Sequence, residues 1–151
     1  MIVFKVLGLA MIVFSSAAIG FFKSRSLVFR CKKLELIYDG AQLLYEYVNQ
    51  GGAELQQAIE NSFAKCDFLH MNYETNYCDD LDFTKEDKTL INQFFNGLGD
   101  SVKSVECERI NAFKLKIKTQ LNDAKDNCAQ KCKIYQTLGV CAGLVIGILL
   151  I

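Results

Sequence analysis

Hydrophobic positions fall into two regimes along the chain. Residues 1–22 and 134–151 are nearly unbroken apolar runs, whereas residues 23–133 set apolar positions at helical spacing among charged ones. The first run, MIVFKVLGLAMIVFSSAAIGFF, holds one charge, Lys5. At about 1.5 Å per residue it reaches across a hydrocarbon core of roughly 30 Å. The second run, Ile134-Tyr135-Gln136-Thr137 followed by LGVCAGLVIGILLI, is at the short end of the spanning range, with Tyr135 where an interfacial aromatic belongs. The pattern predicts transmembrane helices over 1–22 and 134–151, separated by a helical domain over 23–133. Two other readings stay open. Lys5 ahead of a short apolar core and Ser16-Ala17-Ala18 also fit a cleaved signal peptide, and the last run also fits a buried core helix, although no polar face interrupts it.

In the middle, Leu27, Leu34, Ala41 and Val48 recur every seven residues, with Cys31, Tyr38 and Tyr45 four residues after the first three. This spacing predicts an amphipathic helix continuous with the first span and ended by Asn49-Gln50-Gly51-Gly52. A shorter helix fits Ala53 to Ala64, burying Leu55, Ala58, Ile59 and Phe63. From Lys65 to Phe83 the periodicity fails, and a loop or poorly formed helix is expected. Thr84-Lys85-Glu86-Asp87 reads as an N-cap with acids in the first turn. It opens a helix burying Leu90, Ile91, Phe94, Phe95 and Leu98 that stops at Gly97-Leu98-Gly99. Ser104 is expected to cap the longest helix, in which Ile110, Phe113, Ile117, Leu121, Ala124, Cys128, Cys132 and Tyr135 recur without a breaker into the C-terminal span. The fold class is all-α: a membrane-anchored helical bundle with one N-terminal and one C-terminal transmembrane helix.

Composition sharpens this picture at two points. There is no proline, the residue that would kink a helix at either junction between span and bundle. Lys plus Arg and Asp plus Glu both number 17, so the net charge is zero, and no nucleic-acid recognition motif is present. The distribution is less even. Lys23, Arg25, Arg30, Lys32 and Lys33 form a positive collar before the first acid, Glu35, and Lys125, Lys131 and Lys133 precede the last run. By the positive-inside rule both flanks place residues 23–133 in the cytoplasm, with the lipid bilayer as a partner. Gly139, Gly143 and Gly147 fall at i, i+4, i+8 and strip one helix face to backbone, so that the first span can approach closely.

Chemistry-bearing patterns are sparse. Seven cysteines are scattered and odd in number, which fits buried thiols in a reducing compartment better than a disulfide framework. Cys66 and His70 are i, i+4 with Cys78 nearby, a conceivable zinc site that lacks a fourth ligand and paired spacing. Cys128 and Cys132 continue an apolar stripe, so packing is preferred to ligation. Asp79, Asp80, Asp82, Glu86 and Asp87 lack the glycine and terminal bidentate Glu of an EF-hand, and are expected to be a solvated loop entering a helix. No Walker lysine loop, GxSxG or oriented Cys/His pair is present. No catalytic, cofactor-binding or metal residue is assigned, and no enzyme is expected.

The order Thr84-Lys85-Glu86-Asp87, Leu98-Gly99, Ser104, Ile110, then Tyr135-Gln136-Thr137-Leu138-Gly139-Val140-Cys141-Ala142-Gly143-Leu144 before an Ile/Leu tail resembles the stage III sporulation protein AB family. Gly20-Phe21, Arg25, Leu27 and Leu34 agree at the other end. Between about Lys65 and Phe83 the chain departs from the family pattern, which carries a longer stretch there. The resemblance implies a membrane protein of endospore formation, in the mother cell membrane facing the forespore. Its cytoplasmic domain would be similar to the platform (F-type) domains of type II secretion and type IV pilus machines. The resemblance further implies a non-enzymatic platform subunit of a channel complex, with the stage III sporulation protein AA ATPase and other subunits as partners. The alternative from the pattern alone is a small two-span membrane effector, a holin-like pore former.

Overall fold

The computed structural model describes residues 2–51, 54–71, 76–78, 80–99 and 102–149, with side chains for all of these except 2–7, 9, 10, 12, 13, 70, 71, 76, 77, 147 and 149. Two long helices, α1 (Ile2–Gln50) and α4 (Lys103–Leu149), enclose two short ones in the chain, α2 (Leu55–Ser62) and α3 (Lys85–Asn96). α1 runs for 49 residues and α4 for 47, lengths that a proline-free sequence permits. Gly51 ends α1 at φ +70°, a backbone state that costs glycine little, and its N–H bonds the Tyr47 carbonyl at 3.1 Å. The chain divides into two compact units, Arg30–Asp123 and the combination of Met1–Phe29 with Ala124–Ile151. α1 and α4 contribute to both.

In the central unit, α1 presents Leu34, Ile37, Ala41 and Leu44, all fully buried. Leu34 and Ala41 are the expected heptad anchors, but their companions are Ile37 and Leu44, not Tyr38 and Tyr45, which are only half-buried. Positions three and four residues on flank the same helix face. The aliphatic side takes the core because a buried phenol would need a hydrogen-bond partner. Tyr45 instead lies at the edge, its ring under the Lys114 ammonium at 5.0 Å. α2 adds Ala58 and Ile59, and Phe63 just beyond it packs against Gly40, where a Cβ would fall 2.6 Å from a ring carbon. An aromatic row follows: Phe63 meets Phe95 edge-on at 5.1 Å, and Phe94 stacks on Phe113 at 3.7 Å. α4 completes the core with Ile110, Phe113, Ile117 and Leu121. Each fully buried aliphatic here contributes about 1.5–3 kcal/mol relative to exposure. Leu90 and Leu98, expected inside, are half-buried at the margin.

One local expectation is corrected, and the loop expected over Lys65–Phe83 gains a short ladder. α4 starts at Lys103, so Ser104 already has helical backbone and is exposed rather than a cap. The Val102 carbonyl accepts from the N–H groups of Val105 and Glu106 at 2.9 and 3.1 Å. Between α2 and α3 the chain makes turns at Phe63–Cys66 and Cys66–Leu69 and then a minimal antiparallel ladder, β1 (His70–Met71) with β2 (Asn76–Tyr77). His70 opposes Tyr77 and Met71 opposes Asn76. Two such short strands are marginal alone. This ladder is followed by the Cys78 N–H, which bonds the Asn92 side chain of α3 at 2.7 Å. Apart from this ladder, the regular structure among the described residues is all-helical.

The other unit pairs the first part of α1 with the last part of α4. Two helices can cover little of each other, and Met11, Phe14, Ile19, Phe22, Leu138, Leu144, Val145 and Ile148 are all exposed. Among the described residues no helix is long and apolar enough to cross a membrane. The span expected over 1–22 falls partly outside those residues, at residue 1 and the side chains of 2–7, 9, 10, 12 and 13, and that over 134–151 does so at 147 and 149–151.

Candidate functional site: a glycine crossing and an ion-pair network

The helix pair is built on missing side chains. A Cβ on Gly139 would lie 2.8 Å from the Ser16 carbonyl oxygen and 3.3 Å from the Gly20 Cα. One on Gly20 would collide with the Tyr135 carbonyl oxygen. The two backbones therefore touch, in antiparallel sense, because Ser16 faces Gly139 while Ser24 faces Cys132 and Gln136. At Ser24 the Gln136 Nε2 donates to Oγ at 3.3 Å, and the Cys132 thiol to the carbonyl at 3.5 Å. Ser24 is buried, and so is Gly143, while the surroundings of Gly147 lie outside the described residues. The α1 half of this contact, Ser16, Gly20 and Ser24 at intervals of four, escaped the sequence reading. Its signal was there, since small residues at i, i+4, i+8 are the same device as the glycines of α4.

The collar divides in two. Lys23, Arg25 and Lys32 are exposed, with Arg25 over the Phe29 ring at 5.2 Å. Arg30 and Lys33 turn inward. Arg30 Nε donates to Asp87 Oδ2 at 2.7 Å and Nη2 to Oδ1 at 3.1 Å, with the Gln120 side-chain oxygen 3.3 Å from Nη2. Asp87, fully buried, also closes a capping box: the Thr84 N–H donates to its carboxylate at 3.0 Å, and its own N–H donates to Thr84 Oγ1 at 3.2 Å. Lys33 Nζ lies 2.6–2.7 Å from both Asp80 oxygens and 2.6 Å from Asp82.

The acidic cluster is thus not a solvated loop, because its members answer two cations on α1. Glu86 alone of the described members is exposed, and Asp79 lies outside the described residues. The Arg30–Asp87 pair is bidentate and charge-assisted, the geometry in which a buried pair best offsets its desolvation. Burial works against the Lys33 charge, but the hydrogen bonds and attraction of Asp80 and Asp82 together raise its pKa above that of ordinary lysine. Burial likewise opposes ionisation of Asp80, and the Lys33 ammonium and the Asp82 N–H outweigh it, lowering its pKa. A signal existed in the sequence: Arg30 stands one turn before Leu34 on the buried stripe, and an arginine there requires an acid.

Cys66 and Cys78 are both buried. Burial, with a smaller push from Asp67 and Asp39, takes the Cys66 thiol up to about 12, and burial raises Cys78 as well. Neither is poised as the thiolate that a metal or an electrophile needs. The His70 side chain lies outside the described residues, among which no three His, Cys, Asp or Glu side chains are grouped to hold a metal ion. Cys128 and Cys132 bring their sulfurs to 3.2 Å on one face of α4.

The described residues thus present a tight antiparallel helix pair with exposed apolar flanks and a helical bundle pinned by buried ion pairs. The chain belongs to the stage III sporulation protein AB family, whose profile matches residues 5–69 and 69–151. That family is one of sporulation assembly proteins, not a known family of enzymes. The two matched segments meet at Leu69, within the Lys65–Phe83 stretch. No curated protein and no solved structure matches the chain.

Proposed function

We propose that this protein is a non-enzymatic platform subunit of the sporulation channel complex. It sits in the mother cell membrane facing the forespore, with its bundle in the cytoplasm available to an ATPase. The observation that carries the reading is the Gly20–Gly139 crossing. Backbone contact between two helices with exposed apolar flanks is the packing expected where lipid, not water, is the surrounding solvent. The charges support the same orientation, since Lys23, Arg25, Lys131 and Lys133 lie exposed beside the apolar ends. α1 and α4 each contribute residues to both units. Membership of the sporulation family makes the stage III sporulation protein AA ATPase the expected partner.

The test is a clean deletion in the sporulating host. Arrest after polar division is expected, together with co-purification of the ATPase with the full chain from sporulating cells. Normal spore yield would overturn the reading. Topology is checked with a cysteine placed at exposed Lys118: an impermeant thiol reagent should leave it unmodified in intact cells. Ion leakage on vegetative expression would favour a pore-forming effector instead.

A further inference from the structure

The helix pair leaves an open apolar groove of about 550 Å³ on one side. Phe14, Ala17, Ala18, Phe21 and Phe22 of α1 form one wall, and Gln136 and Val140 of α4 the other. Phe14 and Phe22 are 77% and 68% exposed, so the rims stand open rather than packed. From Phe14 to Phe22 the helix advances roughly 12 Å, and roughly 16 Å to Arg25. Arg25 continues this wall, four residues after Phe21, and Lys133 continues the other, three before Gln136. Because Ser24 pairs with Cys132 and Gln136, the backbone positions of Arg25 and Lys133 fall at about the same level, just past the Phe22 end of the groove, with the Arg25 guanidinium over the Phe29 ring.

Both are exposed, and among the described residues neither is paired with a carboxylate. The whole unit is unbalanced in charge. Lys5, Lys23, Arg25, Lys125, Lys131 and Lys133 are set against Asp126 alone, in a chain whose net charge is zero.

We infer that this groove binds one anionic phospholipid. An acyl chain lies along the wall from Phe14 to Phe22, and the headgroup phosphate is held between Arg25 and Lys133. The inference rests on the membrane placement proposed above. Two basic residues at one end of an apolar channel match a headgroup with net negative charge, whereas a zwitterionic headgroup carries its own cation and gains less. A second copy of this unit would fill the groove with apolar surface but bring a like excess of cations to the same end, which disfavours it.

The experiment is native mass spectrometry of the full chain extracted from membranes into micelles doped with phosphatidylglycerol or phosphatidylcholine. One phosphatidylglycerol should stay bound and phosphatidylcholine should not. Arg25→Gln with Lys133→Gln should weaken retention roughly 25-fold, about fivefold for each basic residue. Ala18→Phe should fill the groove and displace the lipid, and Lys118→Gln, in the bundle, should change nothing. Equal retention of the two lipids, retention unaffected by the Arg25/Lys133 double variant, or a lipid-free dimer joined through the Phe14 face would overturn the inference while leaving the membrane reading intact. Absence of the chain from the membrane fraction would overturn both.

Discussion

Arg30 and Asp87, separated by 57 residues, form a two-pronged ion pair in the core of the bundle, at 2.7 and 3.1 Å. Asp87 is spent twice: its carboxylate faces Arg30 and also accepts the Thr84 N–H that begins α3. The entry of α3 is thereby tied to α1, and the ion pair sets which turn of one helix meets which turn of the other.

Removing one partner strands the other charge. Arg30→Met or Asp87→Leu alone should destabilise the bundle by about 3–5 kcal/mol, and the double variant should recover much of that loss because no uncompensated ion remains. Asp87→Leu additionally loses the capping box, worth about 1 kcal/mol. Urea unfolding of the three variants in mild detergent, followed by circular dichroism, supplies the double-mutant cycle. Simple additivity of the two single losses would contradict a direct pair.

The helix crossing tolerates no side chain. Gly139→Val should cost about 1–3 kcal/mol, the usual penalty of overpacking, since its Cβ would lie 2.8 Å from the Ser16 carbonyl oxygen. Gly8 has nothing within 4 Å of its Cβ position. Gly8→Ala should therefore be neutral or stabilising by about 0.5–1 kcal/mol through helix propensity. Thermal unfolding in detergent distinguishes a steric effect from a general response to losing glycine.

Gly40 plays the corresponding role in the bundle. Gly40→Ala pushes a methyl to 2.6 Å from the Phe63 ring, and the ring cannot retreat without disturbing Phe95, 5.1 Å away. A loss of about 1–3 kcal/mol is expected. Combining it with Phe63→Leu should recover part of the loss, measured by the same urea titration.

The Lys33–Asp80 contact gives local stability a defined pH window. The folded pKa of Asp80 lies below its ordinary 3.8, so its contribution is complete above that value and is lost as pH falls through the folded one. Lys33 lies above 10.5, so its contribution is complete below that value and is lost as pH rises through the folded one. Hydrogen exchange of residues 80–83 should quicken at both extremes beyond the intrinsic pH dependence. Asp80→Asn should remove the acid limb, and an unchanged acid limb in that variant would contradict the assignment.

Buried thiols should be inert. With its pKa at about 12, Cys66 is ionised to roughly one part in ten thousand at about pH 8. Cys66 and Cys78 should resist alkylation until the bundle unfolds, whereas half-buried Cys107 reacts sooner. Peptide mapping by mass spectrometry after a timed iodoacetamide pulse gives the order directly.

Much of the local architecture was legible in the chain alone. Apolar spacing of three and four marked α3 and the long stretch of α4, Thr84 with Asp87 marked a helix start, and Gly51 marked a helix end. These are short-range properties, decided by rotamers, backbone freedom and hydrogen bonds within one or two turns. Pattern was less reliable where neighbouring positions competed. Tyr38 and Ile37 both lie near the buried face, and the cost of burying a hydroxyl decided between them. At Ser104, backbone geometry overrode a preferred capping residue.

Tertiary structure decided everything that joins distant residues. Arg30 and Lys33 read as part of a uniform positive collar until folding set them against Asp87, Asp80 and Asp82. Ser16 read as part of a possible cleavage site and Gly20 as part of a family pattern, and neither they nor Ser24 read as a helix contact until Gly139 and Gln136 lay across them. Charge and small size are properties of single residues, visible in a sequence, but whether a charge meets lipid, water or a buried counter-ion depends on which helix is packed beside it. That choice is made by the fit of whole helix faces, a sum of contacts between residues far apart in the chain.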